Sequence, residues 1–203
     1  MGRQKRIWYE GAVYHVMGRG NRHTAIYRNE DDYKLFMMLL SDIQEKCPFI
    51  LHAYCLMTNH FHLELTTQTI SISKIMQKLM NHYARNFNQK YEFQGHLFDS
   101  RYASKLIEDD GYFLEVSRYI HLNPVKAGMV RNPLDYEYSS YRQYISPGNE
   151  ESIMKTDTSR VLLRFHEPCG EQYRMFVEGK ISHGEQEMLI QKDINENDMW
   201  LPW

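Results

Sequence analysis

The chain has 203 residues, 42% hydrophobic and 25% charged, long enough to bury a core without disulfides or a structural metal. These proportions exclude a disordered chain, and no apolar run nears the roughly 18 residues of a membrane span, so no membrane partner is expected. Three scattered cysteines (Cys47, Cys55, Cys169) argue against a disulfide scaffold and a four-thiolate zinc site. The basic start at Met1–Arg6 has no apolar stretch behind it to make a signal peptide, so a reducing cytoplasm is the expected setting. The net charge of −2 hides an asymmetry: from Ser146 onward six Lys/Arg face eleven Asp/Glu, whereas residues 1–28 hold six Arg/Lys against Glu10 alone. A basic leading segment suits a polyanion and equally an ordinary solvated face.

In chain order, Ala12–Met17 is β-rich and ends at the turn signal Gly18-Arg19-Gly20-Asn21. A helix capped by Asp31 or Asp32 runs to about Lys46, with Phe36, Leu39, Leu40 and Ile43 on one apolar face, and Pro48 stops it. Phe49–Met57 and Phe61–Thr66 read as strands joined by a hairpin at Thr58-Asn59. Ser71 opens a long helix whose stripe is Ile72, Ile75, Met76, Leu79, Met80 and Tyr83, fading near Tyr91. Phe98–Ile107 is a fourth strand, and a helix from about Asp110 is expected to end near Asn123 because Pro124 disfavours helix at the preceding residue.

This order, with helices interrupting strands that include one tight hairpin, predicts an α+β fold: a ferredoxin-like antiparallel sheet with helices on one face. Ser146-Pro147-Gly148-Asn149 marks a boundary, giving a main domain over 1–145 and an acidic extension over 146–203. Apolar clusters at 161–165, 173–177 and 188–190 suggest three short helices there, and the aromatic end Met199–Trp203 is expected to dock on the body or on a partner.

The densest chemistry lies at Asn59-His60-Phe61-His62. Residues two apart on a strand share a face, so His60 and His62 present two imidazoles side by side while Phe61 points into the opposite layer. Such a pair suits a divalent ion once a third ligand arrives; alone it fits equally two histidines on a half-exposed strand. In Tyr119-Ile120-His121-Leu122-Asn123-Pro124 the first and fifth residues share a helix face. A phenol, with its pKa near about 10, becomes a competent nucleophile when its target is polarised and its proton removed. Asn123 adds a neutral carbonyl oxygen; the plain alternative is a core tyrosine and a capping asparagine. Taken together, two imidazoles, an amide oxygen and a phenol suit phosphodiester cleavage: His60, His62 and Asn123 hold Mg²⁺ or Mn²⁺, and Tyr119 attacks phosphorus to leave a 5′-phosphotyrosine link.

His60-Phe61-His62 resembles the histidine–hydrophobic–histidine motif of the single-tyrosine transposases, and Tyr119 to Asn123 resembles their catalytic helix. Tyr14-His15-Val16, Arg19-Gly20-Asn21, Leu56-Met57-Thr58-Asn59-His60, Gly95-His96-Leu97-Phe98, Arg101-Tyr102 and Tyr119 to Val125 are similar to the REP-associated branch, akin to the IS200-like group. The resemblance covers roughly residues 8–145, with Thr58 standing where proline is commoner. It implies a ferredoxin-like core, dependence on a divalent metal, and cutting and rejoining of single-stranded DNA next to short hairpins (REP-like repeats). It assigns the metal to His60 and His62, the nucleophile to Tyr119 and the third ligand to Asn123. It leaves open whether the enzyme is a monomer or a homodimer.

Arg19, Asn21 and Arg22 in the glycine-flanked loop, with Arg101 and Lys105 about the fourth strand, are candidate DNA contacts. Tyr83, Tyr91 and Phe93 offer stacking surfaces for bases, or core packing. His15, His96 and His121 read as structural or supporting, and the cysteines as buried thiols. Two other readings remain: a hairpin-binding protein, derived from a transposase, that does not cut, and a structural zinc site at His60 and His62.

Overall fold

The computed structural model describes residues 7–146 and 153–179. Four antiparallel strands, β1 (Val13–Arg19), β2 (Phe49–Met57), β3 (His60–Thr67) and β4 (Ala103–Ile107), form one sheet in the order β2-β3-β1-β4. The helices are α1 (Glu30–Lys46), α2 (Ile72–Tyr91), α3 (Asp110–Lys126), α4 (Tyr141–Ile145), α5 (Ser159–Leu162) and α6 (Cys169–Glu178). The first six elements run β1-α1-β2-β3-α2-β4, which is the ferredoxin-like order.

Side-chain alternation divides the core in two. Tyr14, Val16, Leu63, Leu65, Phe61 and the stripe of α2 pack with Phe36 and Leu40 of α1 on one face. Val13, Cys55, Met57 and Ile107 meet Phe113, Val116 and Ile120 of α3 on the other. The sequence predicts helices on one face. α1 and α2 lie there, but α3 crosses the opposite face, and α4, α5 and α6 join its apolar cluster beside β2 through Tyr141, Tyr144, Val161, Tyr173 and Val177, with the Tyr144 hydroxyl donating to the His52 carbonyl. The described part of the acidic extension therefore lies on the body. Residues 188–190 and 199–203 fall outside the described residues.

Local differences have simple causes. α1 is capped by Asn29, not Asp31 or Asp32: Asn29 Oδ1 accepts the Asp32 N–H and the Asp32 carboxylate accepts the Asn29 N–H, a reciprocal capping box. Pro124 sits inside α3, which continues to Lys126; near the end of a helix a proline removes a single backbone hydrogen bond, and packing outweighs that loss. The fourth strand is shorter than expected because Phe98 makes only an isolated bridge to Gly20, and the chain bends through 99–102 before pairing resumes at Ala103. Cys47 and Cys55 are buried free thiols, whereas Cys169 is half-buried. Tyr83 is fully buried and Tyr91 donates its hydroxyl to Asp32, so both serve the α1–α2 contact. No helix among the described residues is long and apolar enough to cross a membrane.

Candidate active site

The hairpin at Thr58-Asn59 is clamped by its neighbours: the Thr58 carbonyl accepts from the Ile26 and Tyr27 N–H groups and the Asn59 carbonyl from Gly20 N–H. That clamp fixes the start of β3. Phe61 is buried against Phe36 and Phe98, with ring centroids 5.0 and 6.3 Å away. His60 and His62 therefore emerge together on the face covered by α3, their centroids 5.1 Å apart. Across the sheet Arg19 pairs with His60, Met17 with His62 and His15 with Glu64.

α3 carries Tyr119 across this face. Its ring stands edge-on to His62 at 5.5 Å and to His15 at 5.8 Å between centroids. Asn123, one turn on and almost fully buried, donates from Nδ2 to the Tyr119 carbonyl at 2.8 Å, which leaves its Oδ1 for other work. The Lys126 ammonium lies 5.1 Å over the Tyr119 ring. One chain thus brings Tyr119, His62, His60 and Asn123 into a single neighbourhood, with no second subunit required for the meeting.

Burial sets the electrostatics. The His60 pKa is lowered to about 4 by burial, then by the charges of Arg19 and His23. That of His62 is driven well below the usual imidazole value by burial, His60 and His15. Both rings are neutral at neutral pH, the state in which an imidazole lends a lone pair. Burial raises the Tyr119 phenol above its ordinary value, so the bare pocket disfavours the phenolate. His60 Nδ1 lies 2.7 Å from Asn59 Oδ1, and His62 Nδ1 lies 3.0 Å from His15 Nε2. Each ring is held at Nδ1, which leaves Nε2 as the atom for an ion. Among the described residues no group of three or more His, Cys, Asp or Glu could hold a metal. An ion here would rest on two imidazoles and the Asn123 carbonyl, a mixed N/O set that fits Mg²⁺ or Mn²⁺ with open positions better than a closed structural zinc site.

The remaining predicted residues sort clearly. Arg19 is half-buried and pairs with Asp99 at 3.1 Å. It lines a shallow recess with Met17, Gly18, Asp99, Ser100, Arg101 and Ala103. Asn21–His23 is a 3-10 turn in which Arg22 is exposed and left-handed (φ 52°). Lys105 pairs with His15 across β1 and β4, on the α3 side, with its ammonium buried 4.4 Å over the Tyr112 ring.

Two residues that sequence reasoning underweights stand out. His15 is the hydrogen-bond partner of His62. Glu64, two residues beyond His62 on the same face, is fully buried; one carboxyl oxygen accepts the Ser117 hydroxyl at 2.5 Å and the other has no partner. Burial lifts its pKa to about 8, against the smaller opposing effects of Ser117 and Arg160. The period-two series His60-x-His62-x-Glu64 is the signal in the sequence that could have found it.

Comparison with known proteins bears on the family and the fold. Residues 9–123 match the family model described as "Transposase IS200 like". A curated relative from Haemophilus influenzae, named as a REP-associated tyrosine transposase, is 27% identical over 159 residues, covering 70% of this chain and 87% of that one. The solved structure of a REP-associated tyrosine transposase bound to a REP hairpin shares the fold at a TM-score of 0.62 and 17% identity, over 78% of this chain and 93% of the other. The fold is shared with a REP-associated tyrosine transposase. The chain belongs to the IS200-like transposase family.

Proposed function

We propose that the protein cuts and rejoins single-stranded DNA beside short, REP-like hairpins, with Tyr119 as nucleophile. The carrying observation is the approach of the Tyr119 ring to His62, 5.5 Å between centroids, within one chain. The Tyr119 oxygen forms a bond to phosphorus as the bond from phosphorus to the 3′ oxygen breaks. The phenol gives up a proton and the departing 3′-hydroxyl takes one up, so the step is proton-neutral. The DNA 5′ side stays on the enzyme as a phosphotyrosine, and attack by a 3′-hydroxyl reverses the reaction and rejoins the strand.

His60, His62 and Asn123 would hold Mg²⁺ or Mn²⁺, which when bound supplies polarisation of the scissile phosphate and relief of its developing charge. The neutral imidazoles offer their Nε2 atoms, and the bond from Asn123 Nδ2 to the Tyr119 carbonyl fixes its carbonyl oxygen one turn from the nucleophile. Arg19, braced by Asp99, and Arg101 at the edge of the recess are placed to take the phosphates of the flanking strand, with Asn21 and Arg22 beyond them. A monomer suffices, because the tyrosine acts on the site of its own chain. The setting of this proposal is the cytoplasm.

The test is incubation of labelled single-stranded hairpin oligonucleotides with the protein and Mn²⁺, followed by denaturing electrophoresis. A covalent protein–DNA adduct is expected, and Tyr119→Phe should abolish it while leaving hairpin binding within a few-fold. Adduct formation by Tyr119→Phe would remove Tyr119 from the role. Tight hairpin binding by the wild type with neither nick nor adduct in any divalent ion would establish the non-cleaving alternative instead.

A further inference from the structure

We propose that His15 is a positioning residue for His62: its Nε2 accepts a hydrogen bond from the Nδ1–H of His62 and thereby keeps the His62 Nε2 lone pair turned toward the ion site. This deepens the proposed function and rests on its assignment of His62 as a ligand.

The geometry supplies the argument. His15 lies diagonally across from His62, since Met17 is the residue directly paired with it on β1, and diagonal neighbours on one sheet face are within reach of ring side chains. The two nitrogens are 3.0 Å apart, the rings stack at 5.2 Å with 26° between planes, and both residues are buried. A neutral imidazole carries one proton on two nitrogens. With that proton on Nδ1 and shared with His15, Nε2 of His62 keeps its lone pair and can bind a metal. With the bond reversed, Nε2 would carry the proton and could not. His60 obeys the same rule by another route: its Nδ1 faces Asn59 Oδ1, an atom that only accepts. Both candidate ligands are thus held at Nδ1 and presented at Nε2, by different partners. Outer partners of this kind fix the tautomer and ring orientation of metal-bound histidines, and losing one typically costs about 10–100-fold in metal affinity. Lys105 pairs with His15 from β4, so a positive charge lies on the side away from His62. The His15 ring also touches Tyr119 edge-on at 5.8 Å, so one side chain steadies both the candidate ligand and the candidate nucleophile.

Two measurements test it. The first is the imidazole nitrogen pattern of His62 by long-range ¹H–¹⁵N NMR on metal-free wild-type protein, where the Nδ1–H form is expected. The second is Mn²⁺ affinity by electron paramagnetic resonance, in the absence of DNA, for wild type, His15→Leu and His15→Gln. His15→Leu should weaken Mn²⁺ binding about 10–100-fold and release the Nδ1–H preference of His62. His15→Gln, which keeps an acceptor near the Nε2 position, should restore most of both. A wild-type His62 in the Nε2–H form would overturn the proposal, as would a His15→Leu variant that binds Mn²⁺ like the wild type. If the wild type binds no Mn²⁺, the metal reading of the site fails, and the NMR pattern in wild type and His15→Gln still decides whether His15 sets the tautomer. The wild-type spectrum needs no variant, so a misfolded His15→Leu leaves the proposal decidable.

Discussion

Glu64→Gln isolates the most unusual group in the sheet. The Glu64 carboxyl is buried beneath α3 with its pKa raised from 4.5 to about 8. Between those two values the folded chain keeps the proton while the unfolded chain releases it. Stability must therefore fall as pH rises through this window, at about 1.4 kcal/mol per pH unit once the unfolded carboxyl is ionised. The full effect approaches about 5 kcal/mol by pH 8, a large share of the roughly 5–15 kcal/mol typical of a domain. The amide that replaces the carboxyl does not titrate. Its oxygen still accepts from Ser117, and its NH₂ inherits the unpartnered position, a constant cost of about 1–3 kcal/mol. Glu64→Gln should thus be equal to or slightly less stable than the wild type at pH 5 and more stable by several kcal/mol at pH 8.5. Urea unfolding from pH 5 to 8.5 with a chelator present, read as the wild-type minus variant difference, checks this. His15, His52 and His121, held near about 4, 4 and 3 by burial, act in the opposite sense. They are neutral in the fold and protonated when unfolded below about 6.5, so their contribution is lost as pH falls. Being common to both proteins, that contribution cancels in the difference. A difference that stays constant across the range would mean that Glu64 is ionised in the fold, and would refute the reasoning.

Two further substitutions probe how the site is held. His121 is fully buried on α3 and bridges Tyr173 of α6 at 2.7 Å and Ser140 Oγ at 2.8 Å; His121→Leu takes this partner from the Tyr173 hydroxyl, while Ser140 Oγ keeps Tyr54, and should cost about 1–3 kcal/mol in urea unfolding, with faster amide exchange over residues 169–178, and a loss under about 0.5 kcal/mol would show the bridge to be idle. A Cβ at Gly18 would stand 2.5 Å from the Phe61 ring between the two site histidines, so Gly18→Ala should cost about 1–3 kcal/mol and lower adduct formation, while Gly18→Ala with Phe61→Leu should recover part of both; strictly additive effects would show no coupling.

What the sequence makes legible is what short-range periodicity encodes. Alternation puts His60 and His62 on one face and Phe61 on the other, and helical spacing puts Tyr119 and Asn123 one turn apart. The Gly18–Asn21 and Thr58-Asn59 turns follow from residue type. Less legible are features fixed by contacts between distant segments. His15 bonds to His62 only because β1 and β3 pair in one particular register, 47 residues apart in the chain. In Leu63-Glu64-Leu65 the alternation reads as a strand with one wet face, and Glu64 then looks like an ordinary surface acid. α3 covers that face, so the pattern encodes a buried polar layer instead. The fourth strand reads as too long because the aromatic residues Phe98 and Tyr102 fit either a strand or the extended loop that docks Phe98 beside Gly20. At α1, Asn29, Asp31 and Asp32 are all competent caps, and only the closed capping box distinguishes them.

The polar layer explains why a transposase core would keep such costly side chains inside. The α1–α2 face of the sheet is aromatic and aliphatic and carries the hydrophobic stabilisation. The α3 face holds His15, His60, His62, Glu64 and Asn123 in or near the buried layer, and burial pushes each of the three imidazoles and the carboxyl toward its uncharged form. These four groups in their uncharged forms present no negative charge to repel a polyanion. α3 offsets its poverty in apolar contact at this end through His121, which locks into the Tyr141, Tyr144 and Tyr173 cluster. The described part of the acidic extension thus has a mechanical consequence: through the bond between Tyr173 and His121 it braces the helix that carries Tyr119 beside the imidazole pair within one chain.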